Sequence, residues 1–275
     1  MLEVKELVKT FGDFKAVDHV SFTIPDGKIL GLIGQNGAGK TTTFRMILNF
    51  IVPTSGTITW DNRPITQKDK QKIGFLPEER GLYQKLTIEE QILYFAELHG
   101  MSRADAKSEL THWLKRLDVV GKASDKVQSL SKGNAQKVQM IASLIFKPEF
   151  IILDEPFSGL DPVNTSIMMS EIMRMRDQGA MIIFSSHDMN NVTKISDNLT
   201  MLKQGKSILQ GGVQEIREQF GRTKVYIEGP FSREELAHLP GVINVIPQGA
   251  GFDLTITEDH VGHDIFTYEI GRASC

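Results

Sequence analysis

The chain has 275 residues, which indicates one large domain or two modest ones. Its composition, 40% hydrophobic and 24% charged, is that of an ordinary soluble globular protein, and 31 basic against 34 acidic residues exclude a basic nucleic-acid footprint over the whole chain. The single cysteine, Cys275, excludes an intrachain disulfide. No apolar stretch approaches the roughly 18–20 residues of a membrane-spanning helix, so we expect the protein to cross no membrane by itself.

The first 30 residues predict short strands, and an apolar run at residues 28–33 then stops at a glycine-rich loop. Three later apolar runs have the same texture, at residues 150–153, 180–184 and 199–202. Short continuous apolar runs separated by helical stretches are typical of strands that are buried on both faces of a parallel sheet. The sequence therefore predicts an α/β fold with a mostly parallel sheet.

Polar side chains follow these runs at the carboxyl ends of the predicted strands. They are Lys40, the pair Asp154 and Glu155, and residues 185–187. Ligands of open α/β sheets bind at this edge of the sheet. We therefore expect the functional residues to meet there.

Residues 87–146 interrupt the alternation and predict a helical insert. Thr87 and Ser102 are each followed by an acid three residues later, which is the spacing of a capping box. A further helix is predicted to begin at Pro162, a favoured position in a first turn, and to end before Gly179.

The last part of the chain predicts a small α+β appendage. Strands at residues 223–228 and 252–257 flank a short helix at residues 232–239, so we expect one domain over 1–216 and a second over 217–275. The closing residues, GRASC, suggest truncation or a vector-derived tail. Nearby acids and histidines at positions 258–264 (Glu258, Asp259, His260, His263 and Asp264) have the residue types of metal ligands, although a solvated charge run is the expected interpretation.

The glycine-rich loop matches the phosphate-binding pattern G-x-x-x-x-G-K-[ST]. The match consists of Gly34, Gln35, Asn36, Gly37, Ala38, Gly39, Lys40 and Thr41. It follows an apolar strand and opens a helix, whose free N–H groups at Thr41 and Thr42 and positive dipole suit an anion. We expect Lys40 to contact the β- and γ-phosphates and the Thr41 hydroxyl to ligate Mg²⁺. The loop is therefore predicted to bind a nucleoside triphosphate.

Asp154 and Glu155 supply the second half of such a site. An aspartate at the end of a buried strand can hold Mg²⁺, directly or through water. The adjacent Glu155 can polarise a water molecule for attack on the γ-phosphate. Acids after strands are common in turns, but beside a phosphate loop these two are expected to be functional.

A third segment, LSKGN at residues 130–134, precedes a helical run at residues 135–146. A serine and a glycine before a helix usually form an N-cap. An N-cap also favours anions, and Lys132 adds a positive charge.

In chain order, five elements resemble the ATP-binding subunit of an ABC transporter: GQNGAGKT at residues 34–41, LSKGN at 130–134, ILDEP at 152–156, SGLD at 158–161, and His187. The resemblance covers roughly residues 1–216. It implies the P-loop NTPase fold of ABC type, in which an N-terminal antiparallel β subdomain and a helical insert accompany the parallel sheet. It also implies ATP and Mg²⁺ as ligands.

The resemblance further implies two subunits facing head to tail, with each ATP between one subunit's phosphate loop and the other's LSKGN. Ser131 and Gly133 would then touch the γ-phosphate across the interface, and Asp161 would lie at the subunit contact. His187 would act on the γ-phosphate, so the implied catalytic residues are Glu155, His187 and Lys40.

Two aromatic residues are candidates for stacking on adenine. Phe11 lies 29 residues before Lys40, where the family places an aromatic ring, and Phe14 is the alternative. Either residue could instead belong to the core.

This sequence departs from the family pattern in two places. The usual signature is LSGGQ, and here Lys132 and Asn134 stand at its third and fifth positions. Glu78 stands where the family commonly has a glutamine that touches Mg²⁺ and water, and it can still offer an oxygen ligand. Residues 78–83 and the appendage are similar to a subfamily associated with sodium or drug export.

The resulting hypothesis is an ATPase subunit of a membrane exporter, bound to the cytoplasmic face of the membrane. Its implied partners are a second copy or a homologous ATPase subunit, together with integral membrane permease subunits, and no nucleic acid is expected. One alternative is a soluble ABC-type ATPase that acts on DNA or ribosomes. Repair members of that superfamily separate the two motifs by a very long coiled coil, whereas here only 91 residues, without sustained heptads, separate Lys40 from Ser131. Another is a nucleotide-gated module that holds ATP without cleaving it.

Overall fold

A computed structural model describes residues 1–79, 81–220 and 224–257, together with residues 261 and 265. The chain folds as two compact units, Met1–Gly211 and Gly212–Cys275. The strands are β1 (Leu2–Phe11), β2 (Phe14–Ile24), β3 (Ile29–Ile33), β4 (Ser55–Trp60), β5 (Arg63–Pro64), β6 (Ile73–Leu76), β7 (Phe150–Leu153), β8 (Met181–Ser186), β9 (Asn198–Lys203), β10 (Lys206–Gly212), β11 (Lys224–Glu228), β12 (Val242–Gln248) and β13 (Gly251–Ile256). The helices are α1 (Lys40–Ile47), α2 (Ile88–Leu98), α3 (Arg103–Arg116), α4 (Lys132–Leu144), α5 (Pro162–Asp177), α6 (Met189–Ile195), α7 (Val213–Phe220) and α8 (Arg233–Ala237).

The first unit contains an antiparallel sheet of order β2-β1-β4-β5. Its strands β1 and β2 have 10 and 11 residues, so the prediction of short strands here was wrong. Register shifts after Val4 and Leu7 interrupt the regular alternation of side chains along these two strands.

The second sheet has the order β10-β9-β3-β8-β7-β6, in which β3 pairs in parallel with β8 and β9, and β7 with β6 and β8. All residues of β3, β7 and β8 are buried, as expected for strands covered on both faces. The predicted α/β fold with a mostly parallel sheet and an N-terminal antiparallel sheet is confirmed. The carboxyl ends of β3, β7 and β8 lie side by side and position the candidate site.

The predicted helical insert is present as α2, α3 and α4. Thr87 and Glu90 form the predicted capping box of α2, and the Ser102 side chain caps α3. Helix α4 begins at Lys132, three residues earlier than predicted, because the Ser131 hydroxyl accepts a hydrogen bond from the Asn134 backbone and starts the helix there. Within the described part of the chain, we find no helix that is both long and apolar enough to cross a membrane.

The second unit has an antiparallel sheet of order β11-β13-β12, with a buried cluster that includes Leu236, Val245 and Leu254. Strand β12 was not predicted, because most of its side chains are exposed and it contains Pro247. The predicted domain boundary after residue 216 falls inside α7, whereas the two compact units divide after Gly211.

Candidate functional site

The glycine-rich loop joins the buried strand β3 to α1. Gln35, Asn36 and Gly37 are exposed, whereas Gly34 and Ala38 are buried. Gly39 is also buried and has a φ of 105°, and a β-carbon at this position would lie 2.6 Å from the Ala16 carbonyl oxygen. Only glycine satisfies both conditions, so the close packing of Gly39 holds the backbone turn that starts α1.

Lys40 begins α1, and its side chain is buried at 6% exposure. Its ammonium group donates to the Gly34 carbonyl oxygen at 2.6 Å and to the Gln35 carbonyl oxygen at 3.4 Å. Glu155 Oε1 also lies 3.4 Å from Nζ. The loop itself therefore holds the positive charge at the centre of the site.

Thr41 and Asp154 are brought together by the parallel pairing of the sheet. Thr41 Oγ1 donates to Asp154 Oδ2 at 2.8 Å, and the other oxygen, Oδ1, accepts from Ser185 Oγ at 2.6 Å. Asp154 is 2% exposed, and both of its oxygens are held by hydroxyl groups. Two oxygen donors so close together match the ligand preference of a hard cation such as Mg²⁺.

Glu155 follows directly, with a backbone φ of 47° in the left-handed region. This unusual conformation for a glutamate is held by Ser185 Oγ, which accepts from the Glu155 N–H at 2.8 Å. His187 Nδ1 lies 3.0 Å from Glu155 Oε2, and the imidazole is 63% exposed. Oε1 is buried and, apart from its ion pair with Lys40, has no hydrogen-bond partner within the described part of the chain, so it can accept one.

A cleft of about 600 Å³ opens beside Glu155 and His187. The turn at residues 157–160 and the side chains of Asn190 and Lys194 also line it. The carboxylate and the imidazole thus face a space large enough for a phosphate group and water.

Ser131 is exposed at the start of α4, and the half-buried Gly133 packs close to α5, where a β-carbon would lie 3.3 Å from Asn164 Nδ2. Asp161 caps α5. The Asn164 backbone N–H, at 2.9 Å, and then the Asn164 side chain lower the pKa of the Asp161 carboxyl by donating hydrogen bonds to it. The LSKGN and SGLD segments therefore lie together, although no hydrogen bond joins Ser131 to Lys40 or Glu155 among the described residues.

Glu78 is exposed in the loop after β6. Gln139 of α4 holds this loop by donating to the carbonyl oxygens of Pro77 at 3.2 Å and Glu79 at 3.1 Å. Among the described residues, no hydrogen bond or ion pair joins Glu78 to Asp154 or Glu155. The structure thus brings Thr41 and Asp154 together as candidate metal ligands but leaves Glu78 outside this pair.

Phe11 and Phe14 pair across the end of the β1–β2 hairpin and are 49% and 64% exposed. The alternative that they belong to the core is therefore wrong, and the Lys9 ammonium lies 5.1 Å from the Phe11 ring centroid. Thr42 is half-buried in the first turn of α1. The acidic and histidine residues at positions 258–264 fall outside the described residues.

An apolar groove of about 390 Å³ lies between the β6 side of the parallel sheet and the helical insert. Its walls include Phe50, Phe75, Phe95 and Phe146, and His99 stacks on Phe146 with 3.7 Å between the ring centroids. Lys70 is the one lysine or arginine among the residues that line it in the described structure. We call this surface the aromatic groove.

Two buried residues of the site carry functions that the sequence analysis did not assign. Ser185 joins Asp154 to the backbone of Glu155, and Gln139 fixes the loop around Glu78. The polar residues that end β8 and follow it included Ser185, whereas nothing in the local sequence distinguishes Gln139 from other helical glutamines.

Comparison with known proteins decides the family. The family model described as "ABC transporter" matches residues 17–158. The chain belongs to the ABC transporter family of ATP-binding proteins. It is 42% identical over 272 residues to the ABC transporter ATP-binding protein YhaQ of Bacillus subtilis (strain 168), a match that covers 99% of this chain and 91% of YhaQ.

Two further matches agree with this assignment. The linearmycin resistance ATP-binding protein LnrL of Bacillus subtilis (strain 168) is 32% identical over 224 residues, covering 80% of this chain and 72% of LnrL. The solved structure of an ATP-binding subunit of an ABC transporter superposes with a TM-score of 0.74 at 30% identity, covering 80% of this chain and 93% of that one. This ABC protein therefore has the cassette fold and belongs to a family of ATPases that serve as transporter subunits.

Proposed function

We propose that this cassette is the ATP-hydrolysing subunit of a membrane exporter and that it works as a dimer on the cytoplasmic face of the membrane. The observation that carries the proposal is the convergence of Lys40, Asp154, Glu155 and His187 at one edge of the parallel sheet, beside a phosphate-binding loop. Relatives such as YhaQ are named ABC transporter ATP-binding proteins, which does not favour an ATPase that acts on nucleic acid, and the presence of Glu155 and His187 does not favour a module that holds ATP without cleaving it.

In the proposed reaction, Glu155 is the general base. Its buried Oε1 lacks a hydrogen-bond partner among the described residues and would accept one from the attacking water. Lys40 would exchange its bonds to the loop carbonyls for the β- and γ-phosphate oxygens of ATP. His187, exposed and 3.0 Å from Glu155, would orient the carboxylate and donate to the γ-phosphate.

The Thr41 and Asp154 oxygens fit Mg²⁺, because they are hard donors 2.8 Å apart at the end of the phosphate loop. When bound, Mg²⁺ would neutralise charge on the β- and γ-phosphate oxygens. Ser185 keeps the Asp154 carboxylate oriented from the other side. Glu78 would offer a further oxygen ligand to the same ion.

A dimer would give a function to LSKGN and SGLD, the two segments that do not contact Lys40 within the described part of one chain. Ser131 is exposed at the N-terminus of α4, where N–H groups and the helix dipole favour an anion. In a head-to-tail pair, Ser131 and Gly133 would meet the γ-phosphate bound to the other subunit, and Asp161 would lie at the contact. Each ATP site would then be incomplete in a single chain.

The aromatic groove is the proposed contact for the permease subunits. It exposes apolar side chains between the sheet that carries Glu155 and the helical insert that carries Ser131. A permease segment bound there would be displaced by any movement of the helical insert relative to the sheet. Export is supported by similarity to a protein named for linearmycin resistance and by the segment at residues 78–83.

The decisive experiment measures ATP hydrolysis per subunit against protein concentration, for wild type, Ser131→Arg and Ser102→Arg. Ser102 is the matched control, because it caps α3 as Ser131 caps α4. We expect the rate per subunit to rise with concentration and to be abolished by Ser131→Arg but not by Ser102→Arg, with ATP binding retained in both. A rate that is independent of concentration and of Ser131 would refute the two-subunit site.

A further inference from the structure

Lys132, one of the two residues that depart from the family signature, lies against the turn that follows Glu155. A β-carbon at Gly159 would lie 2.6 Å from Lys132 Nζ and 3.0 Å from its Cε. The end of the lysine side chain therefore occupies the space that any side chain at position 159 would need. Gly159 also has a φ of 69°, which favours glycine, and a β-carbon there would displace the end of the Lys132 side chain.

We propose that Lys132 is a positioning residue that fastens the start of α4 to the turn at residues 158–161. This inference rests on the proposed two-subunit site, because both segments would face the partner there. Lys132 would keep them in register before the partner arrives, as one preformed surface.

A second contact lies beside the first. Gly133 approaches Asn164 and Leu160, with a β-carbon at 133 lying 3.3 Å from Asn164 Nδ2 and 3.9 Å from Leu160 Cδ2. Asn164 is itself held by Asp161, whose carboxylate accepts from both the backbone and the side-chain amide of Asn164. The first turn of α4 is thus packed along the whole turn that leads into α5.

The same turn is hydrogen-bonded to the backbone of the proposed catalytic base. Ser158 N donates to the Glu155 carbonyl oxygen at 3.1 Å, and Leu160 N donates to the Phe157 carbonyl oxygen at 3.2 Å. Lys132 therefore contacts a segment that begins three residues after Glu155. A displacement at the start of α4 would pass through Gly159 towards the Glu155 backbone.

We attribute the lysine at position 132 to the contact of its side chain with Gly159, and not to its charge. Lys132 is the first residue of α4, where the helix dipole disfavours a cation, and the first turn contains no acidic residue to offset it. Within the described part of the chain, its ammonium group makes no hydrogen bond or ion pair. Instead, the end of the side chain, Nζ and Cε, lies against Gly159.

Fastening the two segments in advance lowers the ordering that ATP-driven association must supply. Loss of the Lys132 contact should therefore weaken the apparent affinity for ATP while leaving the hydrolysis step nearly unchanged. We expect Lys132→Ala to raise the KM for ATP by about three- to tenfold, with kcat within about twofold of wild type. Lys132→Met keeps the length of the stem without the charge and should restore the wild-type KM. Lys115→Ala, at an exposed position in α3, is the control.

A stability cycle tests the contact itself. Gly159→Ala should lower the Tm in both backgrounds because of its positive φ, but by less in Lys132→Ala, where the new β-carbon has no lysine contact to displace. The proposal requires both this non-additivity and the KM effect rescued by methionine. Additive Tm changes, an unchanged KM in Lys132→Ala, or a Lys132→Met variant that behaves like Lys132→Ala would each overturn it.

The Ser131→Arg measurement separates this proposal from the one on which it rests. If Ser131→Arg abolishes turnover while Lys132→Ala has a wild-type KM, the two-subunit site stands and the positioning role is refuted. If Ser131→Arg has no effect, the two-subunit proposal fails first, and the positioning role fails with it.

Discussion

Thr41 and Asp154 are 113 residues apart in sequence, yet Thr41 Oγ1 lies 2.8 Å from Asp154 Oδ2. The distance is short because the strands that precede them, β3 and β7, both pair in parallel with β8 and end at the same edge. This pair is therefore the position at which we expect Mg²⁺ to bind.

Replacing Thr41 with valine removes the hydroxyl and keeps the shape of the side chain. We expect Thr41→Val to raise the Mg²⁺ concentration needed for half-maximal ATP hydrolysis by about tenfold or more. A magnesium titration at saturating ATP measures this effect. Thr111→Val, on the exposed surface of α3, should leave the titration unchanged, and an equal shift in both variants would argue against a role for Thr41 in holding the metal.

Replacing Glu155 with glutamine tests the proposed base. Because an amide cannot take a proton from water, turnover should fall by roughly 100-fold or more. ATP binding, measured by equilibrium dialysis, should persist because the phosphate loop is unchanged. Glu149→Gln, at an exposed glutamate paired with Lys72, is the control. Turnover that survives Glu155→Gln would assign the proton transfer to another group.

Burial of His99 in the aromatic groove lowers its pKa, an effect that its hydrogen bond to the Gln71 carbonyl oxygen opposes. The folded state then binds a proton less readily than the unfolded state, so stability is lost as the pH falls from about 6.5 towards the lower folded-state pKa. We expect His99→Gln to reduce the acid-induced decrease in Tm over this range by roughly 1–3 °C. His112→Gln, at an exposed position in α3, should keep the wild-type dependence of Tm on pH. An identical dependence in all three proteins would contradict the prediction.

Glu171 joins α5 to the helical insert. Arg174 donates to both of its carboxylate oxygens, Arg116 of α3 lies 3.5 Å away, and the Arg116 guanidinium sits 4.6 Å from the buried Trp113 ring. Because Glu171 is 5% exposed, Glu171→Ala should lower the free energy of unfolding by about 1–3 kcal/mol in a urea titration.

The exposed pair of Glu97 and Arg103 provides the comparison for Glu171. Glu97→Ala should change the free energy of unfolding by less than about 1 kcal/mol, because solvent screens the pair. Equal losses in the two variants would show that the Glu171 network adds nothing beyond an ordinary surface ion pair.

The sequence predicted the parts of the fold and site that depend on local chemistry. The phosphate loop, the acids after β7 and the caps at Thr87 and Ser131 all follow from residue types at fixed spacing. Strand β12 and the long strands β1 and β2 were missed or shortened, because exposed side chains, a proline and register shifts hide the alternation. These are cases in which partner strands, rather than the strand's own sequence, decide the structure.

Contacts between distant segments could not be predicted in the same way. Ser185 fixes Asp154 and Glu155 only because β7 and β8 are neighbours, and Lys132 reaches Gly159 only because α4 packs beside the turn before α5. A serine after a strand and a lysine at a helix start carry no local mark of these functions. The exposure of Phe11 and Phe14 likewise depends on where the hairpin ends.

The Lys40 ammonium group already donates hydrogen bonds to the loop that carries it, at the carbonyl oxygens of Gly34 and Gln35, and it forms an ion pair with Glu155. An incoming phosphate must compete with these groups, and it gains only the difference between the new bonds and the old. A weakly charged ligand would not displace these groups from Lys40, whereas a polyphosphate would. The internal bonds of Lys40 thus set a threshold that the phosphate oxygens of a ligand must exceed before the lysine leaves the loop carbonyls.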